Sequence, residues 1–168
     1  MQRASFAQLE CPIARALDIV GDGWTLLLLR EALKGVRTFG GFEDRIGIPP
    51  TTLTRRLATM CESGLLARRR YEEHPPRDEY VLTEKGAALM PVLLALGVWG
   101  GRWESPGGAP IVPVDLTTER VLDPVFVDSR SRRPIKLGHV ALAAGPGASK
   151  TLRAALRKPL PLVLPEAP

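Results

Sequence analysis

Between Thr38 and Ser63 the chain carries a short segment with one apolar face, a breaker at Gly47-Ile48-Pro49-Pro50, and a second periodic segment. In that second segment Leu53, Leu57 and Met60 recur at i, i+4 and i+7, which assigns them to one inward helix face. At about 100° per residue from Leu53, Thr51 falls near ~160°, Arg55 near ~200°, Thr59 near ~240° and Thr52 near ~260°, with Arg56 flanking at ~300°. An outward face of threonine and arginine has a defined chemical use. A guanidinium donates two parallel hydrogen bonds to guanine O6 and N7, and threonine bonds base edges or phosphate, or touches a thymine methyl. The first turn of such a helix also offers unpaired backbone N–H groups to a phosphate. On an isolated helix the same face is ordinary solvated surface; the breaker before it and the hairpin pattern after it favour DNA contact. Thr51, Thr52, Thr54, Arg55, Arg56 and Thr59 are therefore the candidate DNA-binding residues, joined by Arg77 in the segment that follows.

Other chemistry finds less support. Glu72, Glu73, Asp78 and Glu79 surround His74, but they share one loop-like stretch, which reads as a charged solvated loop rather than an acid–base site. Two cysteines, Cys11 and Cys61, and two histidines, His74 and His139, offer no metal-ligand spacing and no disulfide framework. No enzyme activity, cofactor or metal is expected. Cys61 lies at ~80° on the second periodic helix, near its apolar face, and reads as core.

The elements that must position these residues follow from start and stop signals. Pro12 suits the first turn of a helix running to Val20, which Gly21 and Gly23 stop. Asp22 or Gly23 caps the next, Trp24 to Lys34, whose run Leu26-Leu27-Leu28-Leu29 makes it the buried central helix. Thr38 caps a third helix with Phe39, Phe42 and Ile46 inward, and a fourth runs from Pro50 to Ser63 with Gly64 at its C′ position. Two strands follow, Leu65–Tyr71 and Glu79–Leu82, with Glu72–Asp78 expected as a protruding loop because two adjacent prolines oppose a ladder. Thr83 then caps a long helix to about Trp103. The order predicts a mainly α fold with a small β wing: a winged helix-turn-helix.

The chain has 168 residues, 45% hydrophobic and 24% charged, enough to bury a core. Residues 1–104 hold 14 Lys+Arg against 13 Asp+Glu, and residues 105–168 hold 9 against 5. Phosphate affinity in the first part must come from placed arginines, not bulk charge. No apolar run reaches the roughly 18–20 residues of a membrane span, and the first residues lack a signal-peptide pattern, so a cytoplasmic location is expected.

Several short motifs recur in order at characteristic spacing: Cys11-Pro12-Ile13-Ala14-Arg15-Ala16-Leu17, Gly23-Trp24-Thr25 with its leucine run into Arg30-Glu31, Leu53-Thr54-Arg55-Arg56-Leu57, Gly64-Leu65-Leu66, Pro75-Pro76-Arg77 with Glu79-Tyr80, and Leu82-Thr83-Glu84-Lys85-Gly86. Over residues 11–103 the chain resembles the HxlR-type winged helix-turn-helix transcriptional regulators. The resemblance implies a homodimer on a roughly palindromic double-stranded DNA operator, with the N-terminal segment and the last long helix at the dimer interface. Independently, Leu89, Val92, Leu93, Leu96 and Trp99, continued by Trp103, form an apolar stripe wider than a small core would cover. A symmetry mate or the chain's own tail would satisfy it. In some HxlR-type members the cysteine at the position of Cys11 senses quinones, aldehydes or oxidants. A helix start beside the thiol and Arg15 one turn on are surroundings that favour a thiolate. The alternative is a helix-boundary cysteine packed at the interface, and the rival to DNA binding is a protein-interaction module using the same surface.

Ser105-Pro106-Gly107-Gly108-Ala109-Pro110 reads as a linker, giving domains 1–104 and 111–168. In the second part Val125-Phe126-Val127 and Ile135-Lys136-Leu137 flank a polar turn and predict a β hairpin. Arg130, Arg132, Arg133 and Lys136 beside that turn suit phosphate contacts, an acidic effector or plain solvation. Lys158–Pro168, rich in proline, is expected to be extended or disordered.

Overall fold

The computed structural model describes residues 5–163. The chain divides into two compact units, one comprising the described residues up to Ala7 with Pro12–Val112, the other Gln8–Cys11 with the chain from Pro113 on.

The first unit begins with four helices: α1 (Pro12–Val20), α2 (Gly23–Leu33), α3 (Phe39–Ile46) and α4 (Pro50–Glu62). Asp22 caps α2 through its carboxylate, which accepts from the Thr25 N–H at 3.0 Å and from the Thr25 hydroxyl at 2.5 Å. Thr38 caps α3 by accepting from the Gly41 N–H at 3.2 Å. Gly47 closes α3 in the left-handed region at φ 66°, a conformation that favours glycine. The periodic positions meet as the sequence requires. Leu28, Leu29 and Ala32 of α2 pack with Phe42 of α3, Leu53, Leu57 and Met60 of α4, and Ile48, Leu65 and Leu66, all of them buried.

One buried polar group stands out in that core. Glu31 of α2 is nearly inaccessible, and its Oε1 accepts from Arg30 Nε at 2.7 Å and Lys34 Nζ at 2.9 Å. Burial alone would raise its carboxyl, but the hydrogen bonds and charges of Lys34 and Arg30 hold it below the ordinary value of 4.5. A depressed carboxyl contributes stability that is present above its unfolded value and is lost as pH falls through the folded one. The melting temperature of Glu31→Gln should therefore lie below that of the wild type at pH 7, and the gap should close as pH falls below 4.5. A gap that stays constant from pH 7 to pH 3 would show that the ionised carboxylate contributes nothing.

Two strands, β1 (Leu66–Glu73) and β2 (Pro76–Leu82), form an antiparallel hairpin. Its register pairs Leu66 with Leu82, Arg68 with Tyr80, Arg69 with Glu79 and Arg70 with Asp78. A shift follows at Tyr71, after which Glu72 pairs with Arg77 and Glu73 with Pro76. The expected loop Glu72–Asp78 is thus mostly ladder, and only His74 and Pro75, joined by a cis peptide, form the tip. Pro76 is tolerated because it is the first residue of its strand, where a missing N–H costs least.

The expected single helix from Thr83 to Trp103 is two helices, α5 (Glu84–Ala87) and α6 (Met90–Trp103). Pro91 has no N–H to give the Ala87 carbonyl, and its ring opposes a continuous helix there. Thr83 caps α5 by accepting from the Gly86 N–H at 3.0 Å, while its hydroxyl donates to the Gly64 carbonyl at 2.6 Å. Gly86 is the point of closest approach. A Cβ there would sit 2.1 Å from the Leu65 carbonyl oxygen, so only glycine lets α5 lie against the start of the wing.

The second unit holds a 3₁₀ turn at Leu137–His139, β3 (Ala141–Leu142), α7 (Lys150–Ala155) and β4 (Leu160–Pro161), which pairs with β3. The hairpin expected at 125–137 is reduced to one bridge, Val127 with Pro134, and the paired strands lie later in the chain. Val125, Phe126 and Ile135 are exposed there, so a longer ladder would gain little apolar burial to hold it. Of the stretch expected to be extended, Leu160–Pro161 is strand, and residues 164–168 lie outside the described residues.

Candidate nucleic-acid interface

The turn between α3 and α4 sets the direction of α4. Ile48 is buried in the core, and Pro49 and Pro50 occupy the N-cap and first helical positions. Pro50 has no N–H to leave unpaired, and no side chain caps α4, so its first-turn amides at Thr51 and Thr52 remain open. Leu53, Leu57 and Met60 anchor the helix. Its opposite face presents Thr51, Thr54, Arg55 and Thr59, all exposed, with Thr52 half-buried at the edge. The Thr54 hydroxyl donates back to the Pro50 carbonyl at 2.9 Å, and the Thr59 hydroxyl to the Arg55 carbonyl at 3.0 Å. Both side chains are thereby oriented, with their methyl groups and oxygen lone pairs left for a ligand.

The arginines split into two kinds. Among the described residues no carboxylate lies within ion-pair distance of Arg55. Arg56 is held by Asp22, 3.3 Å from its Nη1, and its buried Nε has no hydrogen-bond partner among the described residues. Asp22 therefore joins the start of α2 to the middle of α4, a tie between residues 34 apart that periodicity does not reveal.

The wing is internally neutralised. Arg68 pairs with Asp78, Arg69 with Glu79, Arg70 with Asp78 at 3.3 Å and Glu73 at 3.7 Å, and Arg77 with Glu72 at 3.3 Å. The Asp78 carboxyl is held below the usual carboxylate range by the Arg68 hydrogen bond, with a smaller contribution from Arg70. Arg37 extends this network to Glu79 at 3.9 Å, and the Tyr80 N–H donates to the Arg37 carbonyl at 2.8 Å. Sequence reasoning missed this ladder; the alternation of an arginine run with an acidic run ten residues later was the available signal. Arg77 is at the wing as expected, exposed but already paired.

Cys11 is exposed and Cys61 half-buried, where burial pushes the thiol up. Leu89 and Leu93 pack against the core, whereas Val92, Leu96, Trp99 and Trp103 are exposed along α6, Trp99 by 54% and Trp103 by 65%. Among the described residues no helix is long and apolar enough to cross a membrane, and no group of His, Cys, Asp or Glu is arranged to hold a metal.

A helix-turn-helix closed by an antiparallel hairpin, with the second helix presenting an exposed polar face, defines a winged helix-turn-helix protein. Residues 19–107 match the HxlR-like helix-turn-helix family. An uncharacterized HTH-type transcriptional regulator of Mycobacterium tuberculosis is 40% identical over 136 residues, which span 80% of this chain and 86% of the relative. Among solved structures, PA1607, a candidate transcription factor, superposes with a TM-score of 0.76 at 30% identity, covering 84% of this chain and all of that one. The redox regulator HypR in its reduced form gives a TM-score of 0.54 at 30% identity over 56% of this chain and 95% of its own. The chain belongs to the HxlR-like helix-turn-helix family and is a DNA-binding transcriptional regulator.

Proposed function

We propose that the protein is a homodimeric repressor that reads a palindromic operator with α4, and that Cys11 is the thiol through which an oxidant or electrophile alters its binding. The observation that carries the first part is Arg55, exposed among Thr51, Thr54 and Thr59 and unpaired among the described residues, while the arginines of the wing are all neutralised. A guanidinium kept from internal carboxylates is available for a guanine edge. Thr52 lies at the edge of this face. Arg56 acts by fixing α4 against α2, and Arg77 lies where a wing meets the phosphates or minor groove beside the recognition site. The exposed stripe Val92, Leu96, Trp99 and Trp103 supports self-association, because a second copy would bury it and pair two recognition helices about one DNA turn apart. The exposed thiol of Cys11, together with the likeness to a redox regulator, supports the sensing role.

Fluorescence anisotropy on the duplex upstream of the protein's gene tests this directly. Saturable, salt-dependent binding by a dimer is expected, with transcription from that fragment reduced when the protein is added. Diamide or a quinone should change the affinity of the wild type and leave Cys11→Ser unaffected. Binding to no duplex, including any selected from a random pool, would overturn the DNA reading. An identical response of Cys11→Ser and wild type would remove only the sensor.

A further inference from the structure

We infer that Asp128–Lys136 in the second unit is an additional DNA-contacting element that grips the phosphates of a duplex without reading its sequence. The inference rests on the reading that this protein binds double-stranded DNA, and it assigns to the second unit a part of that binding. It starts from where positive charge is left uncompensated. In the first unit Arg30, Lys34, Arg37, Arg56, Arg68, Arg69, Arg70 and Arg77 all lie on carboxylates. Among the described residues of 113–163, no arginine or lysine is in an ion pair. Phosphate attraction depends on cations that have no internal partner, because a cation already paired must first give up its carboxylate.

Within that unpaired set, four cations fall in one short finger: Arg130, Arg132, Arg133 and Lys136, all exposed. The finger is a built turn rather than loose chain. The Asp128 N–H donates to the Arg133 carbonyl at 3.0 Å, the Arg132 N–H to the Asp128 carbonyl at 2.8 Å, and the Ile135 N–H to the Phe126 carbonyl at 2.8 Å. Val127 and Pro134 bridge at its base. Its one acid, Asp128, turns inward and accepts from the Ser131 N–H at 2.8 Å, so it holds the turn instead of neutralising an arginine. Asp115 is used in the same way, accepting from the Thr117 and Thr118 N–H groups at 2.9 and 2.7 Å. Asp115 and Asp128 thus shape turns and leave the finger's arginines to a polyanion. Four exposed cations spaced along one finger suit a repeating phosphate backbone.

The test compares the full-length wild type with Arg130→Gln/Arg132→Asn/Arg133→Gln and with a triple lysine variant at the same positions. Asparagine is chosen at 132 because φ there is +60°, a region that asparagine tolerates. Affinity for the operator and for a scrambled duplex of equal length is measured from 50 to 200 mM salt. The neutral triple variant should lose affinity for both duplexes by the same factor. Its salt slope should be shallower by about 2–3, so that the wild type's advantage shrinks by about fortyfold across that range. The lysine variant should keep the wild-type slope. An unchanged slope, a loss confined to the operator, or an equal loss in the lysine variant would overturn the proposal. If the wild type binds no duplex, the DNA reading itself fails; if it binds and Arg55→Ala loses discrimination while the neutral triple keeps its slope, only the finger fails.

Discussion

Leu96→Glu/Trp99→Glu is expected to yield a folded monomer that no longer holds its operator. Both side chains are about half exposed, and α6 contains no buried residue, so neither substitution opens a cavity in the core. The helix stays anchored by Leu93 and by Leu89 just before its first turn. In a two-fold dimer each substitution occurs twice across one interface. A tryptophan at the centre of such an interface typically contributes about 2 kcal/mol or more, so two lost copies weaken association about a thousandfold or more. Light scattering should show half the wild-type mass at micromolar concentration with the melting transition of the monomer retained. Operator affinity should fall with it, because one recognition helix makes half the contacts. A double variant with the mass of the wild type would move the interface elsewhere.

Arg55→Ala is expected to cost about 1–3 kcal/mol of discrimination, five- to over a hundredfold, at one or two base positions of each half-site. Affinity for a scrambled duplex should change far less. Arg55 is exposed and makes no ion pair among the described residues, so stability should move by no more than about 0.5 kcal/mol. Arg56→Ala is the informative contrast. Its loss removes the partner of Asp22, so the melting temperature should drop and binding should weaken for every sequence alike. Competition with a set of single-base operator variants separates the two patterns. Equal loss on all variants for Arg55→Ala would remove it from base reading.

Much of this architecture was legible along the chain because helix burial is a local signal. A leucine every three or four residues must face one way, and glycine or proline at 21, 35, 47, 49 and 64 stops the backbone wherever the pattern stops. The same reasoning oriented α4 correctly, since Leu53, Leu57 and Met60 leave only one face for Thr51, Arg55 and Thr59. The wing was harder to read. A pair of prolines argues against a ladder in general, yet at the first position of a strand, beyond the register shift at Tyr71, the argument lapses. Pro91 was visible too, but whether it kinks or ends a helix depends on what the neighbouring turns pack against.

By itself, then, the sequence determined the order of the first four helices, the inward faces of α3 and α4 and the helix-turn-helix with its hairpin, because periodicity and capping act over a few residues. Only the tertiary structure decided which arginines are available. Coulomb partners are chosen by distance in space, and the hairpin register brings Arg69 to Glu79 as helix packing brings Arg56 to Asp22. Among the described residues those pairings leave Arg55 unmatched beside them, an outcome set by distances in space rather than by spacing along the chain.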